Sequence, residues 1–206
     1  MTSEISIIDY GMGNLHSVKS AFEYLGCNVK ISSDPKFIEN SRQVVLPGVG
    51  SFRKAMESIY SHRLDHAIRV AIDKQYKFLG ICLGLQLCAN SSSEDGESQG
   101  LCLIDGDVEP FQSEGNLKIK IPHIGFNEVK FPSESFLFRG ISNYSDFYFN
   151  HSYRINTKIK IGTISTCTYG TEFLAAYEHK NIYLTQFHPE KSQTNGLKLL
   201  RNFLAG

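Results

Sequence analysis

Short apolar segments alternate with helix-like segments between residues 5 and 89, and this alternation constrains the fold more than any other feature of the sequence. Apolar runs bounded by turn residues predict buried strands, here residues 5–8, 28–32, 44–46 and 78–82. Helical periodicity between them predicts helices at residues 14–25, 51–74 (with a break near Ser61) and 83–89. Asn14 can cap the first helix and Gly26 can end it. Strands separated by helices need crossover connections, so we expect a largely parallel sheet covered on both faces.

The second half of the chain has a different character. Residues 103–178 are rich in β-branched and aromatic residues and predict hairpins, such as 159–168 against 172–177 across Tyr169-Gly170. A strand at 182–187 and an amphipathic helix at 194–204 follow, whereas residues 90–100 are expected to form a solvated loop. The 206 residues fit one domain, 1–206, of the α/β class: a three-layer, mostly parallel open sheet with an antiparallel extension. Sites in such sheets lie at the carboxyl ends of the strands.

Composition excludes several classes of function. The chain has 21 basic and 21 acidic residues, so a nucleic-acid partner is not expected. No signal peptide and no apolar run of membrane-spanning length is recognised, which predicts no membrane association. The five cysteines are odd in number and include no CxxC pair, so neither a disulfide framework nor a metal site is predicted. Reduced thiols in the cytoplasm are the expectation, which leaves a cysteine free to act as a nucleophile.

The segment Gly80-Ile81-Cys82-Leu83-Gly84 has the pattern of a nucleophile on a tight strand-to-helix turn. Flanking glycines are needed because neighbouring backbone crowds such a turn. The backbone N–H of Leu83 then points to where an oxyanion would form. A buried structural cysteine in a glycine-rich turn is the alternative that this pentapeptide alone leaves open.

A thiol nucleophile needs a base, and His188 follows the last predicted strand. Glu190 lies two residues further on, close enough to hydrogen-bond the far nitrogen of the imidazole and to fix its tautomer. A capping histidine and a surface glutamate would be the interpretation of this pair alone. A nucleophile at a neighbouring strand end favours the catalytic interpretation.

A third strand-end loop, Pro47-Gly48-Val49-Gly50, is rich in glycine. Its backbone N–H groups can face a ligand without interference from Cβ atoms. Because this loop ends the strand beside that of Cys82, it is a candidate for the second oxyanion donor. A plain connecting turn is the alternative.

Together these elements resemble the class I glutamine amidotransferase family, and within it the glutaminase subunits of imidazole glycerol phosphate synthase. The resemblance runs nearly end to end. It depends on IIDYGMGNLHSVKSAFEYLG (7–26), LPGVGSF (46–52), GICLGLQL (80–87), IPHIGFNEV (121–129), FNHSYR (149–154) and QFHPEKS (186–192). It implies a flavodoxin-like sheet and hydrolysis of L-glutamine to glutamate and ammonia, with no cofactor.

The resemblance also implies roles for particular residues. Cys82 would be the nucleophile, His188 the general base and acid, and Glu190 the residue that orients it. Gly48, Val49 and Leu83 would form the oxyanion hole. Substrate binding would fall to Gln86, His151, Ser152 and Tyr153, and the partner interface to Pro122, His123, Ile124, Phe126 and Lys191.

The implied partner is a (β/α)8-barrel cyclase, HisF, in a heterodimer that channels ammonia to make imidazole glycerol phosphate and an aminoimidazole ribonucleotide for histidine biosynthesis. Two positions depart from the family's common PHMGWN segment, where this chain has Ile124 and Phe126. These changes leave open the alternative of a paralogous glutaminase that supplies ammonia to amidinate a surface-glycan sugar. A catalytically silent scaffold subunit is a separate alternative, whose signature would be the loss of a triad residue, and none is lost.

Overall fold

A computed structural model describes residues 3–111, 119–157 and 159–205. The strands are β1 (Glu4–Ile8), β2 (Asn28–Ser32), β3 (Gln43–Gly48), β4 (Lys77–Cys82), β5 (Ser91–Ser92), β6 (Ser98–Gln99), β7 (Gly106–Pro110), β8 (His123–Lys130), β9 (Ser145–His151), β10 (Tyr153–Thr157), β11 (Thr163–Tyr169), β12 (Thr171–His179) and β13 (Ile182–Thr185). The helices are α1 (Leu15–Tyr24), α2 (Pro35–Ile38), α3 (Phe52–Ser61), α4 (Leu64–Asp73), α5 (Leu83–Gln86) and α6 (Gln193–Ala205), with a 3₁₀ turn at Pro189–Lys191.

Nine strands form the main sheet in the order β2-β1-β3-β4-β13-β12-β11-β8-β9. The first five pair in parallel, and the remaining four continue the sheet in antiparallel fashion. The predicted fold, a mostly parallel α/β sheet with an antiparallel extension, is therefore confirmed. None of the described helices is both long and apolar enough to cross a membrane.

Side chains of the parallel strands alternate between two buried clusters, as the period of two along a strand requires. Ile5 and Ile7 of β1 pack with α1 and α6 on one face. Ile8 faces the opposite side, where α2, α3, α4 and α5 cover the sheet. These two clusters make the predicted three layers.

Local signals in the sequence are largely confirmed. Asn14 caps α1 by accepting a hydrogen bond from Ser17 N, and Gly26 ends it at φ +85°. The predicted long helix at 51–74 is broken between α3 and α4, as expected near Ser61. The predicted hairpin is present as β11 and β12, which pair Tyr169 with Thr171 around Gly170.

Two expectations were wrong. The helix after Cys82 ends at Gln86 rather than Ala89, because the chain turns there to reach a second sheet. Residues 90–100 are not simply a solvated loop, since β5 and β6 lie in this stretch and Ser92 is buried. They belong to a four-stranded sheet, β10-β7-β5-β6, whose strands are too short and too polar to show a clear alternation.

Candidate active site

The carboxyl ends of three adjacent parallel strands, β3, β4 and β13, bring the predicted site residues to one edge of the sheet. Gly48 is in register with Cys82, and Thr185 is in register with Ile81. His188 follows β13 by three residues. The topology therefore explains why residues 34 to 140 positions apart in the chain, from Gly48 to His188, meet.

Cys82 sits on a strained turn between β4 and α5. Its backbone has φ 54° and ψ −108°, a conformation that non-glycine residues rarely adopt and that costs about 1–3 kcal/mol. Flanking glycines are required because a Cβ on Gly84 would lie 1.8 Å from Leu46 O, and one on Gly80 would lie 2.8 Å from Gly84 O. Backbone crowding of this kind is what the sequence pattern predicted.

The sulfur of Cys82 contacts a backbone carbonyl and a side-chain amide. Its Sγ lies 3.8 Å from the carbonyl oxygen of Asn150 and 3.8 Å from Nε2 of Gln186. Gln186 is completely buried, and its Oε1 accepts a hydrogen bond of 3.0 Å from Gln86 Nε2. The nucleophile thus lies beside a fixed amide whose N–H can stabilise negative charge on sulfur.

His188 and Glu190 form a buried pair beside Cys82. Nδ1 of His188 lies 2.8 Å from Oε1 of Glu190, and both side chains are almost inaccessible to solvent. Nε2 of His188 has no hydrogen-bond partner among the described residues. Burial alone would lower the pKa of His188, but the charge of nearby Cys82, together with the hydrogen bond and charge of Glu190, raises it to about 10. The imidazole is thereby held ready to carry a proton next to the sulfur.

A cavity of about 430 Å³ opens beside Cys82. Predicted site residues besides Cys82 line it, among them Val49 and Leu83 of the candidate oxyanion hole and Gln86, His151 and Tyr153 of the candidate substrate site. Ser152 lines it as well, as does Pro122 of the predicted interface. Gly48, also predicted for the oxyanion hole, does not line the cavity, and a Cβ there would lie 2.3 Å from the hydroxyl of Tyr10.

The predicted interface residues divide into two groups. Ile124 and Phe126 are exposed by 58% and 46%, and Nζ of Lys191 lies 5.8 Å from the ring centroid of Tyr148. His123 is different, because its side chain is buried at 1% exposure and hydrogen-bonds to His151. The strand β8 therefore exposes Ile124 and Phe126 to solvent and buries His123.

Sequence reasoning assigned no role to Gln186, Asn150, Glu94 or Ser192. Glu94 and Asn150 line the cavity, and Ser192 holds the backbone of the His188 turn. Gln186 had a usable signal, since a polar residue at the end of a buried strand points to the site edge. Among the described residues, no group of three or more His, Cys, Asp or Glu side chains is placed to hold a metal ion.

Comparison with known proteins identifies the family to which this sequence is similar. The model of the family described as "Glutamine amidotransferase class-I" matches residues 6–206. A relative from Moorella thermoacetica, "Imidazole glycerol phosphate synthase subunit HisH", is 45% identical over 97% of this chain and 93% of its own length. A protein of the same name from Chlorobium luteolum is 45% identical over 97% of this chain and 98% of its own.

Solved structures support the fold alone, because their sequence identity is low. The structure of PurLQS from Thermotoga maritima gives a TM-score of 0.77 at 14% identity, over 100% of this chain and 99% of that one. A glutamine amidotransferase from the same organism superimposes with a TM-score of 0.63 at 16% identity, over 98% and 83%.

Proposed function

The chain belongs to the class I glutamine amidotransferase family, and we infer from this membership that it hydrolyses L-glutamine to glutamate and ammonia. It is the glutaminase subunit of imidazole glycerol phosphate synthase, which serves histidine biosynthesis together with a cyclase partner. We propose that this partner is the (β/α)8-barrel protein HisF, and that residues 1–206 act as one amidotransferase domain. All five cysteines are free, which supports the cytoplasm as its compartment.

The placement of the buried His188–Glu190 pair beside Cys82, which itself lines the cavity, is the observation that supports this chemistry best. In the proposed mechanism the Cys82 thiolate attacks the side-chain amide carbon of glutamine, and His188 protonates the ammonia that leaves. Water deprotonated by His188 then releases glutamate from the thioester. Glu190 keeps the imidazole in the orientation that both steps need.

Backbone N–H groups of Leu83 and of the Gly48-Val49 loop are the proposed oxyanion donors. Their position along the cavity wall beside Cys82 supports this role for Val49 and Leu83. Each such donor contributes about 3 kcal/mol to transition-state stabilisation in enzymes where it has been removed.

The decisive experiment measures glutamate release by the chain mixed with the cyclase and the cyclase ligand. We expect Cys82→Ser to lower turnover by at least about 10³-fold, because no other thiol lines the cavity among the described residues. The matched control is Cys102→Ser, which removes an exposed thiol and should leave turnover unchanged. Retained turnover in Cys82→Ser would refute the mechanism.

The same assay tests the choice of partner. Stimulation by the cyclase together with its ligand is the expected result. If the cyclase gives no stimulation while a glutamine-like chloroketone still alkylates Cys82, the site is competent but serves another acceptor, as in the sugar-amidination alternative.

A further inference from the structure

A chain of buried side chains connects β8 to the wall of the glutamine cavity. Nε2 of His123 lies 2.9 Å from Oδ1 of Asn127, and Nδ1 of His123 lies 3.0 Å from Nε2 of His151. Nδ1 of His151 lies 2.8 Å from the carbonyl oxygen of Tyr153. His123 and His151 are exposed by only 1% and 6%, so water does not compete for these contacts.

The end of this chain at Tyr153 decides where each proton lies. A backbone carbonyl can only accept, so Nδ1 of His151 must carry the proton that it donates. Burial, with smaller contributions from the nearby His123 and His188, lowers the pKa of His151 to about 3. The ring is therefore neutral, and its Nε2 is an acceptor.

The same argument then passes to His123. Because Nε2 of His151 accepts, Nδ1 of His123 must be the donor. In a neutral imidazole whose Nδ1 donates, Nε2 is an acceptor. Burial lowers the pKa of His123 and so favours this neutral form. Asn127 must then present its NH₂ group to Nε2 of His123. This requires the amide orientation in which nitrogen and oxygen are interchanged, relative to the one with Oδ1 facing the ring. All donors in the chain point towards Tyr153.

The carbonyl of Tyr153 receives a second donor from the catalytic side. Nε2 of Gln86 donates to it at 2.9 Å and also to Oε1 of Gln186 at 3.0 Å. Gln186 in turn contacts the sulfur of Cys82. Both lone pairs of this carbonyl are thus occupied, one by Gln86 of α5 and one by His151 of β9. The two donors fix the cavity wall that Tyr153 lines.

Aromatic packing prevents the His123 ring from turning over. It stacks on Tyr169 with ring centroids 4.0 Å apart and on Phe149 with centroids 4.8 Å apart. A flipped ring would exchange its nitrogen and carbon atoms and break the contact with His151. The geometry therefore holds one tautomer and one orientation.

We propose that His123 and His151 are positioning residues for glutamine binding, which hold the Tyr153 carbonyl and the cavity wall in place through a single directed chain of hydrogen bonds. This inference rests on the proposed glutaminase function. It assigns His123 an inward role, in contrast to the exposed Ile124 and Phe126 of the same strand.

The first test is independent of catalysis. Two-bond ¹H–¹⁵N NMR spectra of the wild-type protein distinguish the histidine tautomers, with His123→Phe and His151→Phe used for assignment. Both rings should be neutral and protonated at Nδ1 at about pH 8, above the ordinary histidine pKa near 6.5, because burial lowers the pKa of each ring. A proton on Nε2 of either ring would overturn the proposal.

The second test uses glutamine kinetics in the complex with the cyclase. Phenylalanine at either position keeps the ring but removes the hydrogen bonds, so we expect KM for glutamine to rise about tenfold with kcat changed by less than about threefold. The double variant should be no worse than His151→Phe alone, because both changes break the same chain. The control Tyr169→Phe keeps the stacking and removes only a hydroxyl that donates to Lys120 O, so its KM should equal that of the wild type.

A third, near-isosteric variant tests the chain of hydrogen bonds with little risk of misfolding. Asn127→Asp replaces the NH₂ donor by a carboxylate at the half-buried end of the chain, which favours a proton on Nε2 of His123. We expect the His123 tautomer to switch and KM to rise with it. An unchanged KM, or additive effects in the double variant, would overturn the proposal.

Failure of the proposed function is distinguishable from failure of this inference. If the wild-type complex released no glutamate, the proposed function would fail, while the tautomer measurement would still test the chain of hydrogen bonds.

Discussion

At the scale of single residues, His188 is enclosed by a thiol and a carboxylate, and these two neighbours set its charge. Because the pKa of His188 is raised to about 10 from an ordinary value near 6.5, the imidazolium stabilises the fold fully below about pH 6.5. This contribution is lost as the pH rises through about 10. The proton needed by departing ammonia is therefore in place at neutral pH.

The two neighbours should contribute unequally to this shift. We expect Cys82→Ser to lower the pKa of His188 more than Glu190→Gln does, because the charge of Cys82 is the largest of the influences that raise it. In Cys82→Ser the effect of burial, which lowers the pKa of His188, is opposed only by Glu190. NMR titration of the His188 ring in the two variants measures the order, and a larger shift in Glu190→Gln would contradict it.

The glycine after the nucleophile gives a prediction about stability. Gly84→Ala would place Cβ 1.8 Å from Leu46 O, a clash with backbone of a central strand. We expect it to lower the free energy of unfolding by about 3 kcal/mol or more, measured by urea denaturation. In the control Gly26→Ala no atom lies within 4 Å of the added Cβ, so only the strain of φ +85° remains, about 1 kcal/mol. Equal losses in the two variants would show that the clash is relieved.

At the scale of elements, the turn that carries His188 is attached to β9 by two backbone contacts. The N–H of His188 donates to Tyr148 O at 2.8 Å. The hydroxyl of Ser192 donates to His188 O at 2.7 Å and accepts from Tyr148 N at 2.9 Å. This clamp holds the short 3₁₀ turn between β13 and α6 against a strand of the antiparallel extension.

Removing the clamp should affect both stability and catalysis. Ser192→Ala leaves the buried N–H of Tyr148 without its partner, so we expect a loss of about 2 kcal/mol in the free energy of unfolding. Glutaminase turnover in the complex should fall about tenfold, because His188 is held less firmly. Ser61→Ala, at an exposed helix end, is the control and should change neither quantity. Normal turnover in Ser192→Ala would mean that the turn is positioned without the clamp.

At the scale of the whole molecule, β8 separates an exposed face from the cavity wall. Ile124 and Phe126 project outwards as exposed apolar side chains, while His123 and Asn127 belong to the hydrogen-bonded chain below. Alternation along one strand thus places a proposed partner surface one residue away from the chain of hydrogen bonds that leads to the cavity wall. Such exposed apolar groups are typical of protein–protein interfaces.

Charge at this surface should weaken the complex without unfolding the chain. We expect Phe126→Asp to raise the Kd for the cyclase by at least about tenfold, measured by calorimetry, because an aromatic contact would be lost and a charge buried. Tyr24→Asp is the control: Tyr24 is 76% exposed at the end of α1, and α1 runs back from the carboxyl end of β1. An unchanged Kd in Phe126→Asp would place the interface elsewhere.

The sequence by itself determined the fold class and the order of the strands β1 to β4. Apolar periodicity located β1 to β4 and α1, because burial on a parallel sheet leaves a local signature in residue type. Glycines around Cys82 and the proline after His188 marked two strand ends, since backbone strain also restricts residue type locally. Strand ends of a parallel sheet meet at one edge, so the candidate triad followed from the sequence.

Only the tertiary structure decided which polar residues support that site. The second sheet was missed because β5, β6 and β7 are short and largely polar, and they are stabilised by pairing with each other and with β10 rather than by periodicity. Ser192, Gln186 and His123 carry no local signal for their partners, which lie 28 to 104 residues away. Hydrogen-bond direction, tautomer and burial are properties of pairs of residues in space, and no single segment of the chain encodes them.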